Sequence, residues 1–337
     1  MKKNRERKAL DIVCATIKSD VSKVTTVLTT ENLETSDRLL SPLKNQNQNL
    51  DQTPLQTWLW RGYKIQYSVT GTGTPLVLIH GFGASIGHWK KNIPALAEAG
   101  YQVFAIDLLG FGGSAKPALA YSLELWEELL QDFHQEFIQK PAIFIGNSIG
   151  ALLALMVTTN SPQMAIAAIL LNAAGGLNHR PEELNLPLRL VMGAFAKLVS
   201  SEVTGKFVFN QVRKKRNIRN SLRQVYRNHQ AIDDELVDML YQPSCDEGAQ
   251  KVFASILTAP AGPRTIDLLA KVAKPLLVLW GDADPWTPIN GAKVYEDAGK
   301  TKDIQVIPIP NTGHCPHDDR PEIVNALVIH WLQKLMS

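Results

Sequence analysis

Ile143-Phe144-Ile145-Gly146-Asn147-Ser148-Ile149-Gly150, running straight into the apolar stretch Ala151 to Val157, is the passage on which the reading of the chain turns. A short apolar run fit for a buried strand enters Gly-x-Ser-x-Gly and leaves directly as a segment of helix length. Gly146 and Gly150 stand where strand and helix cross too closely for side chains, and the tight turn between them lifts the Ser148 hydroxyl into a cleft. Ser148 also sits at a helix N-terminus, whose free N–H groups favour developing negative charge. The five-residue pattern alone is weak, since small residues cluster in many turns. The strand before it and the helix after it make it specific.

A serine hydroxyl is a poor nucleophile at neutral pH, so it needs a base, and the base needs a carboxylate to fix its tautomer. The expected chain order is Ser, acid, His. The strand Leu276 to Gly281 ends in Asp282-Ala283-Asp284-Pro285-Trp286, where the spacing from Gly281 favours Asp284 as the acid over Asp282, a residue suited to capping a turn. Asn311-Thr312-Gly313-His314-Cys315-Pro316-His317 follows the last strand and offers His314 as the base. His317, beside Asp318 and Asp319, reads instead as a brace for the loop or a cap for the last helix. Cys315 reads as a small filler. Ile79-His80-Gly81-Phe82-Gly83 leaves an earlier strand as a glycine-rich loop, where the N–H of Phe82 pairs with that of Ile149 as an oxyanion hole. Phe82, Trp89, Asn147 and Trp286 are the candidate substrate contacts, joined in the inserted segment by Leu190, Phe195, Phe207 and Phe209.

Outward from these motifs, short apolar runs alternate with helix-length segments, the pattern of an α/β fold with a mostly parallel central sheet flanked by helices. Trp58 to Arg61 and Tyr63 to Val69 read as an opening hairpin. Leu76 to His80, Val103 to Asp107, Ile143 to Asn147, Ile166 to Asn172, Leu276 to Gly281 and Ile304 to Ile309 read as buried strands. Trp126, Leu129, Leu130, Phe133 and Phe137 fall at helical spacing, as do Ile323, Leu327, Trp331 and Leu335 after Pro321. Residues 56–175 and 265–337 then form the core, and 176–264, helical in texture, a cap over the carboxyl edge of the sheet, where open α/β sheets bind ligands. Within the cap, Lys206 to Arg227 is basic and Asp233 to Glu247 acidic. That pairing reads either as two helices that neutralise each other or as a basic face able to touch anionic lipid.

Residues 1–55 hold too little apolar surface to offset the entropy of ordering and read as an extension. Their basic start fits an organellar transit peptide, although Asp11, Asp20, Glu31, Glu34 and Asp37 are unusual in one. The 337 residues carry 45% hydrophobic side chains and a net charge of only +3, from 35 basic and 32 acidic groups. This balance argues against a dedicated nucleic-acid binder. No apolar run approaches the roughly 20 residues of a membrane span. Cys14, Cys245 and Cys315 are too few and too scattered for a disulfide framework or a metal knuckle, so a reducing compartment is expected.

These motifs together resemble the α/β-hydrolase superfamily over Trp58 to Met336. Four runs are similar to the branch of chlorophyll dephytylases and pheophytinases: Ala105 to Ser114, Gly146 to Gly150, Leu279 to Trp286, and Gly313 to Asp319. Ala151 departs from relatives that carry a second glycine after the elbow. The resemblance implies hydrolysis of the phytyl ester of chlorophyll or of its magnesium-free derivatives by Ser148, Asp284 and His314, with neither cofactor nor metal. The alternatives are a general carboxylesterase or lipase, a carbon–carbon bond hydrolase, and a catalytically silent ligand-binding protein. Expected partners are a hydrophobic ester and, through the cap, a membrane surface. The expected location is the cytoplasm, at the periphery of a photosynthetic membrane, with a plastid as the alternative.

Overall fold

A computed structural model describes residues 54–178, 180, 193–194 and 196–337. The expectations for residues 1–53, and for Leu190 and Phe195 as cleft residues, lie outside the described residues. Eight strands form one sheet in the order β1-β2-β4-β3-β5-β6-β7-β8. They are β1 (Leu55–Trp60), β2 (Tyr63–Thr70), β3 (Thr74–Ile79), β4 (Tyr101–Ile106), β5 (Ala142–Asn147), β6 (Ala165–Leu171), β7 (Leu276–Gly281) and β8 (Ile304–Ile309). All eight coincide with the expected apolar runs to within a few residues. The β1–β2 and β2–β4 pairs are antiparallel and every pair from β4 to β8 is parallel.

Parallel strands joined by helical crossovers must bury both faces, and each face here has its own core. On one, Trp126, Phe133, Leu152, Leu268 and Tyr295 pack over the sheet; on the other, Ile93, Leu96, Val324, Val328 and Leu332 do so. The helix Leu123–Phe133 starts where the Ser122 side chain accepts from the Leu125 N–H, and it buries Trp126, Leu129, Leu130 and Phe133 as expected. The C-terminal helix Pro321–Met336 corrects the expected stripe by one position. Val324, Val328 and Leu332 are its buried line, while Leu327, Trp331 and Leu335 are half-covered at its shoulder and Ile323 is exposed. One residue turns a helix by only about 100°, so a wide apolar face leaves its centre ambiguous in sequence.

Between β6 and β7 lie the helices Glu202–Val212, Lys215–Val225, Asp234–Tyr241 and Ala249–Leu257. Leu222, Val225, Tyr226, Ile232, Leu236 and Val237 make a small core of their own that also receives Cys315. The last of these helices instead drives Val252 and Ile256 into the main core. Lys215 pairs with Asp238 and Arg219 with Asp234, so part of the basic stretch is neutralised by the acidic helix beside it. No described helix is long and apolar enough to cross a membrane.

Candidate active site

β5 delivers Ser148 at φ 57°, ψ −118°, a conformation that L-residues avoid and that turns the chain abruptly into the helix Ile149–Asn160. The crossing is as tight as the motif requires. A Cβ on Gly146 would stand 2.1 Å from the carbonyl oxygen of Gly150, and one on Gly150 would stand 2.2 Å from that of Ile79. Ile149 opens the helix, so its N–H is one of the donors the first turn leaves without an intrahelical acceptor. The loop after β3 lies against the elbow: a side chain on Gly81 would come within 3.3 Å of Ser148 Cβ. Gly81 and Ala84 close a turn through Ala84 N–H to Gly81 O, with Gly83 at φ 71°, which leaves Phe82 at its exposed corner.

His80 fixes that loop from beneath. The Leu108 N–H donates to its Nε2 over 3.0 Å, so the ring proton sits on Nδ1 and is donated to the Gly81 carbonyl 2.7 Å away. Burial drives this imidazole down to about 4, against a smaller upward pull from the Gly81 carbonyl.

The His314 Nδ1 lies 2.6 Å from Asp284 Oδ2, and both side chains are buried. The carboxylate accepts the Nδ1 proton and leaves Nε2 as the basic nitrogen. Asp284 Oδ2 also accepts from Asn172 Nδ2 at 2.8 Å and from the Thr287 hydroxyl, and Oδ1 accepts from the Trp286 N–H at 2.7 Å. Burial alone would raise this carboxyl; the hydrogen bond and charge of His314, with Thr287 and the Trp286 N–H, outweigh it and hold the group below the usual carboxylate range. Asp282 takes the turn-capping role, accepting the Asn311 N–H at 2.8 Å.

Ser148 and His314 border one cavity of about 410 Å³ with Phe82, Trp286 and Cys315, and the inserted segment contributes Phe209, Leu222, Val225, Leu240, Val252 and Phe253. The walls are almost wholly apolar. Arg213 and Lys116 border it too, but Arg213 donates to Asn210 Oδ1 and the Ser244 carbonyl, and Lys116 to Asp246. The Cys315 thiol is pushed well up, by burial first and then by Asp318 and Asp284, and stays a neutral filler.

Of the expected substrate contacts, Phe82, Asn147, Phe209 and Trp286 border the cavity, whereas Trp89 and Phe207 do not, Phe207 being exposed on the outer side of its helix. Trp89 does not border the cavity: it is 2% exposed and its ring lies on that of His317 at 4.1 Å, so it belongs to the core beneath the site. Asn147 borders the cavity but turns its amide onto the carbonyls of His314 and Leu171, at 2.9 and 3.1 Å, and so braces the histidine loop. His317 is fully buried between Trp89 and His88, and burial keeps its imidazole well below its ordinary pKa.

Four positions carry weight that the sequence reading missed. Asn172, fully buried at φ 43°, orients Asp284 and also accepts the Gly281 N–H at 2.8 Å. A polar residue ending a buried strand at the carboxyl edge was a usable signal for it. Tyr226 donates to Asp318 at 2.8 Å and accepts from His88 Nε2 at 2.7 Å, while Asp318 also pairs with Lys91. Asp319 accepts the N–H groups of Gly313, Arg227 and Asn228 at 2.8, 3.1 and 2.7 Å. Tyr226, Arg227 and Asn228 stand some ninety residues from Asp318 and Asp319 in the chain, with no local motif to join them.

Residues 76–327 match the alpha/beta hydrolase family. Chloroplastic pheophytinase of Arabidopsis thaliana is 28% identical over 305 residues, covering 78% of this chain; the chain spans only 62% of that relative's length. A 2-hydroxy-6-oxo-6-(2'-aminophenyl)hexa-2,4-dienoic acid hydrolase of Metapseudomonas resinovorans is 28% identical over 282 residues, covering 81% of this chain and 89% of the relative. Among solved structures, a serine hydrolase involved in carbazole degradation superimposes with a TM-score of 0.66 at 24% identity, over 83% of this chain and 98% of its own, a likeness of fold.

Proposed function

The chain belongs to the α/β-hydrolase family, and on that premise we propose that it is a serine hydrolase of apolar carboxylic esters, with the phytyl ester of chlorophyll or of a magnesium-free derivative as its substrate. The observation that carries the reading is the placing of Ser148 and the His314–Asp284 pair on the wall of an almost wholly apolar cavity. His314 Nε2 takes the proton of Ser148 as its oxygen attacks the ester carbonyl, and Asp284 stabilises the imidazolium. The N–H groups of Phe82 and Ile149 receive the oxyanion, each such donor contributing about 2.7 to 4 kcal/mol to the transition state. His314 then protonates the departing alcohol, and water attacks the acyl enzyme through the same base.

The apolar lining of the cavity suits an aliphatic chain, and on this reading the tetrapyrrole lies at the mouth beside the exposed rings of Phe82 and Trp286. The similarity to pheophytinase supports this choice of ester. Carbon–carbon bond hydrolysis is the second reading, and the Metapseudomonas relative is named as a hydrolase of a 2-hydroxy-6-oxo-dienoic acid. Against it, an ionised dienoic acid needs a cationic partner, and the guanidinium and ammonium at this cavity are engaged elsewhere.

The test is incubation with chlorophyll, pheophytin and a short-chain aryl ester, with released phytol and acid separated chromatographically. A fluorophosphonate probe is to label the native protein and leave Ser148→Ala unlabelled. Turnover of the aryl ester with neither pigment cleaved under dispersing detergent sinks the pigment reading. Absence of labelling in well-folded protein sinks the hydrolase reading as well.

A further inference from the structure

The helix Glu202–Val212 has two unlike sides. Gly205 and Phe209 face inward and are buried, and Phe209 and Val212 border the cavity. At about 100° per residue, Val203, Lys206, Phe207 and Asn210 share the opposite arc. Val203 is 80% exposed and Phe207 66%, and Leu198, just before the helix, is exposed with them. Large apolar side chains held in water on one ridge are uncommon away from an interaction site.

Charge accompanies them. Lys197 just before the helix, Lys206 on the ridge itself, and Lys214, Lys215 and Arg216 just after the helix are exposed, and Glu202 is the acid on the same helix. Lys215 is paired with Asp238, whereas Lys206 and Arg216 make no ion pair among the described residues. Asn210 carries the ridge into a separate crevice of about 320 Å³ lined by Arg213, Lys214, Lys215 and Tyr241. Apolar side chains flanked by cations, with a basic hollow beside them, complement a surface that offers acyl chains beneath anionic headgroups.

We propose that this outer face of the inserted segment is a docking surface for an anionic lipid bilayer, Phe207 and Val203 entering the interface while Lys206, Lys214 and Arg216 lie over the headgroups. Because the inner side of the same helix walls the cavity, docking brings the cavity beside the phase in which a water-insoluble ester dissolves. Binding does not depend on turnover, so the proposal stands or falls apart from the catalytic reading.

The test is co-sedimentation of the full chain with vesicles of phosphatidylcholine alone and of phosphatidylcholine mixed equally with phosphatidylglycerol. Expected is binding to the mixed vesicles that weakens with added salt, and little to the neutral ones. Lys206→Ala lowers partitioning roughly fivefold, the equivalent of about 1 kcal/mol per cation at such a surface. Phe207→Ser lowers it about tenfold, given the cost of withdrawing a large apolar side chain. Leu59→Ser, which removes another exposed apolar side chain on β1, leaves it unchanged, and all three variants keep the parent's melting temperature and aryl-ester turnover. No sedimentation with the anionic vesicles, or equal sedimentation of Phe207→Ser and the parent, overturns the proposal.

Discussion

The backbone N–H of His314 donates to the carbonyl of Val225 over 2.8 Å, so the loop that carries the imidazole is fastened to the segment inserted between β6 and β7. A side chain on Gly313 would stand 1.8 Å from that same carbonyl. Val225 borders the cavity in which Ser148 lies. What holds the wall of the cavity therefore also sets the place of the histidine.

Asp319 is the strongest clamp in this joint, since one carboxylate collects three backbone N–H groups from the two sides of it. In Asp319→Asn one oxygen becomes an amide donor facing a donor. Hydrogen bonds to a charged group are each worth about 1.5 to 3 kcal/mol, so kcat on a soluble ester is expected to fall about tenfold or more while KM stays within about twofold. A raised KM with kcat intact would show that the clamp shapes the cavity and does not place His314. Tyr226→Phe, which frees Asp318 from the inserted segment at the same joint, is expected to shift kcat in the same direction by less.

Asp284→Asn keeps the size of the side chain and reverses the polarity of one contact. The amide either donates to His314 Nδ1 or loses its bond to it, and in both cases Nε2 ceases to be the free base. Loss of kcat by about 10⁴ is expected, as for a triad left in the wrong tautomer, with a lowered melting temperature because an amide nitrogen in place of Oδ2 faces the Asn172 amide donor. Fluorophosphonate labelling slowed by less than tenfold would remove Asp284 from the mechanism.

The elbow, the acid, the histidine and all eight strands were legible because each is written locally, as an apolar run ending in a small-residue turn. Spacing alone separates Asp284 from Asp282, and in the structure Asp284 is the one bonded to His314 while Asp282 accepts the Asn311 N–H. Trp89 is hard to place from sequence because an aromatic next to a cavity-lining residue, here His88, and one in the wall look alike; only the fold shows its ring covered by His317. Tyr226 and Asp319 were illegible for a different reason. Their roles depend on how a helical insertion is laid over a loop ninety residues away, and neither side carries a repeat or motif that names its partner.

Ala151 stands where the resemblance leads one to expect a second glycine, and its methyl is fully buried in the main core beside the elbow. The backbone of the helix Ile149–Asn160 tolerates it without strain, so Ala151→Gly adds chain entropy and removes packing. Unfolding in urea is expected to show a loss of about 1 kcal/mol, with kcat unaltered. A gain in stability would mean that the methyl strains the crossing of β5 and its helix.

Four imidazoles lie buried with their pKa lowered chiefly by burial: His80, held down to about 4, and His88, His134 and His317. In the unfolded chain each takes up a proton near the ordinary value of 6.5. Below that pH the unfolded state therefore binds more protons than the native one, and stability falls as the solution is acidified from about 6.5 towards about 4. Asp107 works the other way, because burial raises its carboxyl to about 6 and the native state then holds a proton that the unfolded state releases. Glu127, also raised chiefly by burial, acts in the same sense; two such groups offset at most two of the four, so melting temperature is expected to decline with acid over this window. His80→Gln keeps an acceptor for the Leu108 N–H and removes one titrating group; its stability is expected to change less steeply by one proton, about 1.4 kcal/mol per pH unit. Identical slopes in variant and parent between pH 6.5 and 4 would show that His80 is already protonated in the native state, and that the loop it holds is gripped by something else.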